Sequence, residues 1–112
     1  MHPDDAAERG LRDGDVARLF NSRGSCLAGV MTSDKIIRGV VQLATGAWYD
    51  PQEPGQVGSL DVHGNPNLLT LDKGTSRLAQ GPSAQTALIE IEKWSGDVPP
   101  ITVFAPPPMA KA

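Results

Sequence analysis

The chain has 112 residues, which suits one domain with a single core. Its 10 basic and 13 acidic residues give a net charge of −3, and no segment gathers the Lys and Arg stripe that phosphate backbones or anionic membranes require, so nucleic-acid and polybasic membrane binding are disfavoured. Twelve Gly and ten Pro residues predict short elements joined by many turns, which favours β over helical architecture.

The single cysteine and the two chain ends add little about compartment. Cys26 has no partner for an internal disulfide and no companion at metal-ligand spacing, and its apolar neighbours predict a buried thiol in a strand. No stretch has the length of a membrane span, and the N-terminus lacks the form of a signal peptide. Because the sequence starts inside a predicted helix cap, we expect a fragment of a larger protein.

The first third of the chain predicts a helix followed by a hairpin. Residues 2–10 predict a two-turn helix, since Pro3 suits its first position and Gly10 its left-handed end. Residues 15–21 and 26–31 predict two strands with a turn between them.

The rest of the chain predicts short strands between long loops. Residues 40–43 predict a strand buried on both faces, 52–61 a polar loop, and 101–104 a last short strand. Residues 86–94 alternate apolar and polar side chains, the period of a half-buried strand. About six short strands with one or two helical turns predict a mainly β fold resembling a small barrel, over residues 1–105, with a Pro-rich tail at 106–112.

The segment 64–85 is the main candidate for ligand binding. It combines glycines, prolines and hydroxyls with the side-chain amides of Asn65, Asn67, Gln80 and Gln85. An amide offers a donor and an acceptor in one plane, which suits the edge of a heterocycle and predicts a ring-bearing ligand. The alternative is a surface loop whose Asn and Ser side chains bond their own backbone.

Other polar residues give weaker signals. His63 is either a ligand-binding imidazole or merely exposed, and Trp48 with Tyr49 either stacks on a flat ligand or closes one end of the barrel. The sequence Gly74-Thr75-Ser76 is only distantly like an anion-binding loop. Four carboxylates fall in predicted loops at no spacing that forces two of them together: Asp50, Glu53, Asp61 and Asp72.

Six motifs, in order, carry a resemblance to a known family. They are Met1-His2-Pro3-Asp4-Asp5-Ala6, Gly14-Asp15-Val16, Phe20-Asn21-Ser22-Arg23-Gly24, Gly46-Ala47-Trp48-Tyr49-Asp50-Pro51, Gly64-Asn65-Pro66-Asn67-Leu68-Leu69-Thr70 and Gly74-Thr75-Ser76-Arg77-Leu78-Ala79-Gln80-Gly81. Over nearly the whole chain they resemble the C-terminal domain of the dimethyl sulfoxide, trimethylamine N-oxide and biotin sulfoxide reductase family of molybdenum enzymes. The resemblance implies a double-psi β-barrel that helps to hold bis(molybdopterin guanine dinucleotide).

The resemblance also implies roles for individual residues. Asn67 matches the family asparagine that bonds the pterin, and Gln85 matches the glutamine or neighbouring amide that does so across the site. Trp48 matches a residue of the pocket wall. Weaker candidates, as loop neighbours that offer side-chain or backbone groups to the dinucleotide, are Asn65, Ser76, Ser83 and Ala84.

The resemblance further implies an incomplete enzyme. The residue that ligates molybdenum, the first barrel strand and the domains around the substrate have no counterpart in this sequence, so the expected partners are upstream domains of the same polypeptide and, in the full enzyme, a small S-oxide or N-oxide. Oxygen-atom transfer belongs to the complete enzyme, and the chain alone is expected to be inactive. A cytoplasmic location is expected, with the periplasm as the alternative.

Two other functions remain open on the sequence. A free-standing double-psi barrel of the pyruvoyl-dependent decarboxylase type would cleave itself at a Gly-Ser bond, and Gly24-Ser25 and Gly58-Ser59 are available. A non-catalytic binding module would depend on the prolines at 106–108.

Overall fold

A short helix, α1 (Pro3–Glu8), opens the chain in the computed structural model, which describes residues 1–81, 86–106 and 109. Its N-terminus is capped by His2, whose Nδ1 accepts the backbone N–H of Asp4, and Gly10 has a φ of 64° just beyond its end, as the sequence predicts. Ala6 anchors the helix in the core. In the described part of the chain, no helix has the length and apolar character needed to cross a membrane.

Three antiparallel strands form the sheet. They are β1 (Val16–Phe20), β2 (Ser25–Gly29) and β3 (Glu90–Lys93), in the order β2-β1-β3. Leu19 of the central strand lies opposite Cys26 of β2 and Ile91 of β3, so one face of the sheet presents a row of apolar side chains. The buried cluster around this row contains Ala6, Leu11, Ala17, Leu19, Cys26 and Leu69.

The predicted hairpin is confirmed, but other predicted strands are wrong. Residues 40–43 and 101–104 form no strand, and the predicted strand at 86–94 is reduced to Glu90–Lys93 among the described residues. The backbone N–H groups of Thr102 and Val103 donate to the Asp50 carboxylate, so they do not take part in a ladder. Apolar content alone predicted these strands, whereas a strand also needs a neighbour with free backbone groups.

A carboxylate also replaces sheet pairing in the segment before residues 40–43. Asp5 of α1 is buried, and its carboxylate accepts the backbone N–H of Gly39 at 2.6 Å and Arg38 Nε at 3.3 Å. The Gly39 hydrogen bond, together with Arg38, lowers the pKa of Asp5 although burial opposes this. Residues 38 and 39 are thus fixed to the helix and not to the sheet.

The fold class is therefore mainly β with one short helix and long loops. The three-stranded sheet has two edges and is not closed into a barrel by the described residues. About six predicted strands become three in that part of the chain.

We expect Leu19→Ala to lower the free energy of unfolding by about 2–5 kcal/mol, because it leaves a cavity at the centre of the sheet. Urea denaturation measures the change. Leu78→Ala is the matched control, since Leu78 is 98% exposed and its truncation should change stability by less than about 0.5 kcal/mol. Equal effects of the two substitutions would contradict the assignment of the core.

Candidate functional site

A fully buried carboxylate, Asp61, organises the loop 61–69, which begins beside β2. Its Oδ1 accepts the backbone N–H groups of His63, Gly64 and Asn65 at 3.2, 2.7 and 2.8 Å. Its Oδ2 accepts the backbone N–H of Asp50 at 2.7 Å. Four donors thereby satisfy a side chain whose exposed fraction is 0%, which would otherwise be costly to bury.

Backbone pairing connects Asp61 to the sheet. The Asp61 N–H donates to the Ser25 carbonyl, and the Asp61 carbonyl accepts the backbone N–H of Leu27. Asp61 therefore pairs with β2 through its backbone. Gly64 lies so close to this strand that an added Cβ would stand 3.2 Å from the Leu27 carbonyl oxygen, and its φ is +86°. Glycine is therefore required at this position both for conformation and for space.

The far end of the same loop is held by the β1–β2 turn. The Leu69 carbonyl accepts Asn21 Nδ2 at 2.8 Å and Arg23 Nη2 at 2.8 Å. Leu69 itself is buried in the core. The loop 61–69 is fixed at both ends, by backbone hydrogen bonds between Asp61 and β2 and by hydrogen bonds from the β1–β2 turn to Leu69.

Between these ends, one asparagine orients another. Residues Pro66–Leu68 form a 3-10 turn whose cap is Asn65, and Asn65 Oδ1 accepts the backbone N–H of Asn67 at 3.0 Å. Asn67 is exposed, and its side-chain amide forms no hydrogen bond with residues that the structure describes. The loop thus presents a planar donor–acceptor group from a fixed backbone.

A second buried carboxylate, Asp50, connects this cluster to residues 102–104. Asp50 accepts Thr102 N at 2.6 Å, Thr102 Oγ1 at 2.7 Å and Val103 N at 2.9 Å. These contacts place the Phe104 ring edge-on to His63, with 5.1 Å between the ring centres.

The turn at Trp48 joins the same group of residues. The Trp48 carbonyl lies 3.1 Å from His63 Nδ1, and because a carbonyl only accepts, this nitrogen carries the proton. The Trp48 ring is 6.4 Å from that of Phe104 and is 66% exposed. His63 and Gly64 border an open groove of about 860 Å³, which Phe104, Leu43 and Met31 also line.

The predicted site residues fall into three groups. Asn65 and Asn67 lie in the loop that Asp61 holds, and the Trp48 carbonyl is connected to the same loop through His63. Ser76 lies in a separate turn, where its Oγ accepts the backbone N–H of Ala79 at 2.8 Å, so its hydroxyl supports its own loop. Ser83, Ala84 and Gln85 lie outside the described residues.

The sequence reasoning missed the two aspartates. It treated Asp50 and Asp61 as scattered loop residues, whereas the structure connects them through a backbone-to-carboxylate bond. A signal was present for Asp61, because an Asp followed by Gly and Asn within four residues is typical of side-chain-to-backbone turns. No spacing predicts the contact between Asp50 and Thr102, which are 52 residues apart.

Among the described residues, no three His, Cys, Asp or Glu side chains come together in a way that could hold a metal ion. The backbone N–H groups at 63–65 are already bonded to Asp61, so the group that this loop offers to a ligand is the exposed Asn67 amide. An amide binds the polar edge of a heterocyclic ligand by hydrogen bonding.

Comparison with known proteins assigns the chain to a family. The profile described as "Molydopterin dinucleotide binding domain" matches residues 1–88. The chain therefore belongs to the molybdopterin dinucleotide binding domain family.

Curated relatives cover almost all of this chain. The trimethylamine-N-oxide reductase of Salmonella typhi is 50% identical over 107 residues, which is 96% of the chain and 13% of the relative. Trimethylamine-N-oxide reductase 1 of Escherichia coli K12 is 53% identical over 102 residues, 91% of the chain and 12% of the relative. The dimethyl sulfoxide/trimethylamine N-oxide reductase of Rhodobacter capsulatus is 49% identical over 111 residues, 99% of the chain and 14% of the relative.

The chain thus spans about one eighth of the length of these relatives. The matches confirm the predicted family, and they favour it over a free-standing decarboxylase or a module that acts through its Pro-rich tail.

The residues present fit the cofactor class of the family. The Asn67 amide has no hydrogen-bond partner among the described residues, and the pterin and guanine rings both carry the in-plane donors and acceptors that an amide matches.

Asp50 gives a pH-dependent prediction. Burial raises the pKa of its carboxyl, but the hydrogen bonds from Thr102 and Val103 together outweigh burial, so the pKa lies below the ordinary value of 3.8. Its contribution to stability is then fully present above pH 3.8 and is lost as the pH falls through the lower native pKa. Compared with Asp50→Asn, the wild-type chain should be more stable at pH 6, and this advantage should shrink below pH 3.8.

Thermal unfolding from pH 6 to pH 2 measures this difference. Asp34→Asn is the control for loss of one charge, because Asp34 is exposed. A stability difference between the wild type and Asp50→Asn that stays constant down to pH 2 would contradict the role of the carboxylate.

Proposed function

We propose that this chain is the part of a molybdenum-dependent S-oxide or N-oxide reductase that holds one side of bis(molybdopterin guanine dinucleotide). The observation that carries the proposal is the exposed Asn67 amide on a loop fixed at both ends, in a chain that belongs to a molybdopterin dinucleotide binding family. When bound, the cofactor supplies the redox-active molybdenum at which an oxygen atom is removed from the substrate.

The residues of this chain act by binding and orientation. Asn67 offers its amide to the pterin, and Asn65 fixes the turn that carries Asn67. The Trp48 ring lies 6.4 Å from that of Phe104, which lines the groove, and the role of Trp48 in the pocket wall stays a prediction. Gln85, Ser83 and Ala84 keep their assigned roles as predictions, as does Ser76, whose hydroxyl also stabilises its own turn.

The chain needs further protein surface to complete this site. Large apolar side chains are exposed among the described residues, including Trp48 and Phe104, which are 66% and 74% exposed. An open sheet edge presents backbone groups that pair readily with another strand. We infer that upstream segments of the same polypeptide cover these surfaces and close the sheet into a double-psi barrel.

The reaction of the complete enzyme follows from its relatives. Their names identify trimethylamine N-oxide and dimethyl sulfoxide as substrates of those proteins, and we infer a small S-oxide or N-oxide for the enzyme that contains this chain. Molybdenum would be ligated by residues outside the chain. A cytoplasmic location remains a prediction, with the periplasm as the alternative.

We expect Asn67→Ala to weaken retention of the cofactor by about tenfold, because a polar group of the pterin then loses its partner. The measurement is the amount of molybdenum and guanine nucleotide that stays with the complete reductase after gel filtration. Gln56→Ala is the matched control, since it removes an exposed amide from a loop outside the site.

The control should retain the cofactor as the parent enzyme does. Equal retention in the parent, in Asn67→Ala and in Gln56→Ala would refute the proposed role of the loop.

A further inference from the structure

Asp61 has no assigned role in cofactor binding, yet its carboxylate accepts the N–H groups of three consecutive residues of the loop, 63–65. Its carboxylate lies beneath the loop, is fully buried, and accepts four backbone N–H groups. It therefore has no face left to offer to a ligand. Any effect of Asp61 on the cofactor must pass through the residues that it holds.

The path to the exposed amide has two steps. Asp61 Oδ1 accepts the N–H of Asn65 at 2.8 Å, which sets the direction in which the Asn65 side chain leaves the backbone. Asn65 Oδ1 then accepts the N–H of Asn67 at 3.0 Å, which sets the first turn of the 3-10 segment and so the direction of the Asn67 side chain.

We propose that Asp61 is a positioning residue of the cofactor site, which fixes the direction of the Asn67 amide through the cap made by Asn65. The inference rests on the proposed function, because it concerns the same amide. It extends that function by naming the buried group that keeps the amide in a binding geometry before the cofactor arrives.

The Asp61 side chain must accept hydrogen bonds at both of its oxygens to play this role. A carboxylate only accepts hydrogen bonds, so it can satisfy donors from both directions at once. An asparagine in its place would turn an NH₂ group toward either the Asp50 N–H or the N–H groups at 63–65. One donor would then face another, and the loop would lose one set of its bonds.

The experiment is a double-mutant cycle in the complete reductase with Asp61→Asn, Asn67→Ala and the pair. The measured quantity is the rate at which bound cofactor is lost, followed as the guanine nucleotide that remains with the protein. Asp61→Asn should speed the loss by about 10-fold to 100-fold, the range found when a group that orients a metal ligand is removed. In the Asn67→Ala background it should speed the loss by less than about threefold.

A merely structural role gives a different result. If Asp61→Asn speeds the loss by the same factor in both backgrounds, the positioning role is wrong. If Asn67→Ala alone leaves the rate unchanged, the proposed function of the loop is wrong, and the positioning role fails with it. Asp34→Asn removes the same charge from an exposed site and should leave the rate unchanged.

A second pair of variants keeps the test decisive if Asp61→Asn does not fold. Asn65→Ala removes the cap, whereas Asn65→Ser keeps an oxygen that can accept the Asn67 N–H. Fast loss in Asn65→Ala with recovery in Asn65→Ser supports positioning through the cap. Equal loss in both overturns it, because Asn65 would then act through its own amide.

Discussion

The burial of the Asp61 carboxylate is the interaction on which the rest of the site depends. Placing an anion out of water is costly, and this cost is offset only while four backbone N–H groups converge on it. The same hydrogen bonds also hold the segments at 50 and 63–65 in place, because moving either segment would leave the buried carboxylate without partners. The Asp50 carboxylate acts in the same way on another segment, since it accepts the backbone N–H groups of Thr102 and Val103. Two aspartates therefore join three segments that have little regular secondary structure of their own.

This mode of construction suits a domain that binds a cofactor. A sheet satisfies its backbone internally and leaves few polar groups for a ligand, whereas a loop held from beneath by a carboxylate leaves its outward side chains free. Asn67 is such a side chain. Trp48 and Phe104 expose large aromatic rings to water, which is unfavourable and agrees with the inference that upstream segments cover this surface.

Local pattern predicted some elements well. The helix after Pro3 and the β1–β2 hairpin were found because capping residues and turn residues act within a few positions of the chain. The strands predicted at 40–43 and 101–104 were wrong. Both segments are apolar, but the hydrogen-bond partners of a segment depend on residues distant in the chain: Thr102 bonds a carboxylate 52 residues away. The loop at 64–85 was identified by composition, but the aspartate that holds it was not.

The sequence by itself determined the family of this protein, its mainly β character, and the loop that carries the candidate amides, since each depends on residue identity and short-range order. Only the tertiary structure decided which of those amides is free and which is used by the fold. The resemblance ranks Asn67 above Asn65, but residue type alone does not separate them. In the fold one caps the turn and the other is exposed, and the buried Asp61 fixes the backbone from which the turn starts. Asp61 must bond these backbone groups only because folding has removed its carboxylate from water. No local sequence pattern reveals which carboxylate will be buried in this way.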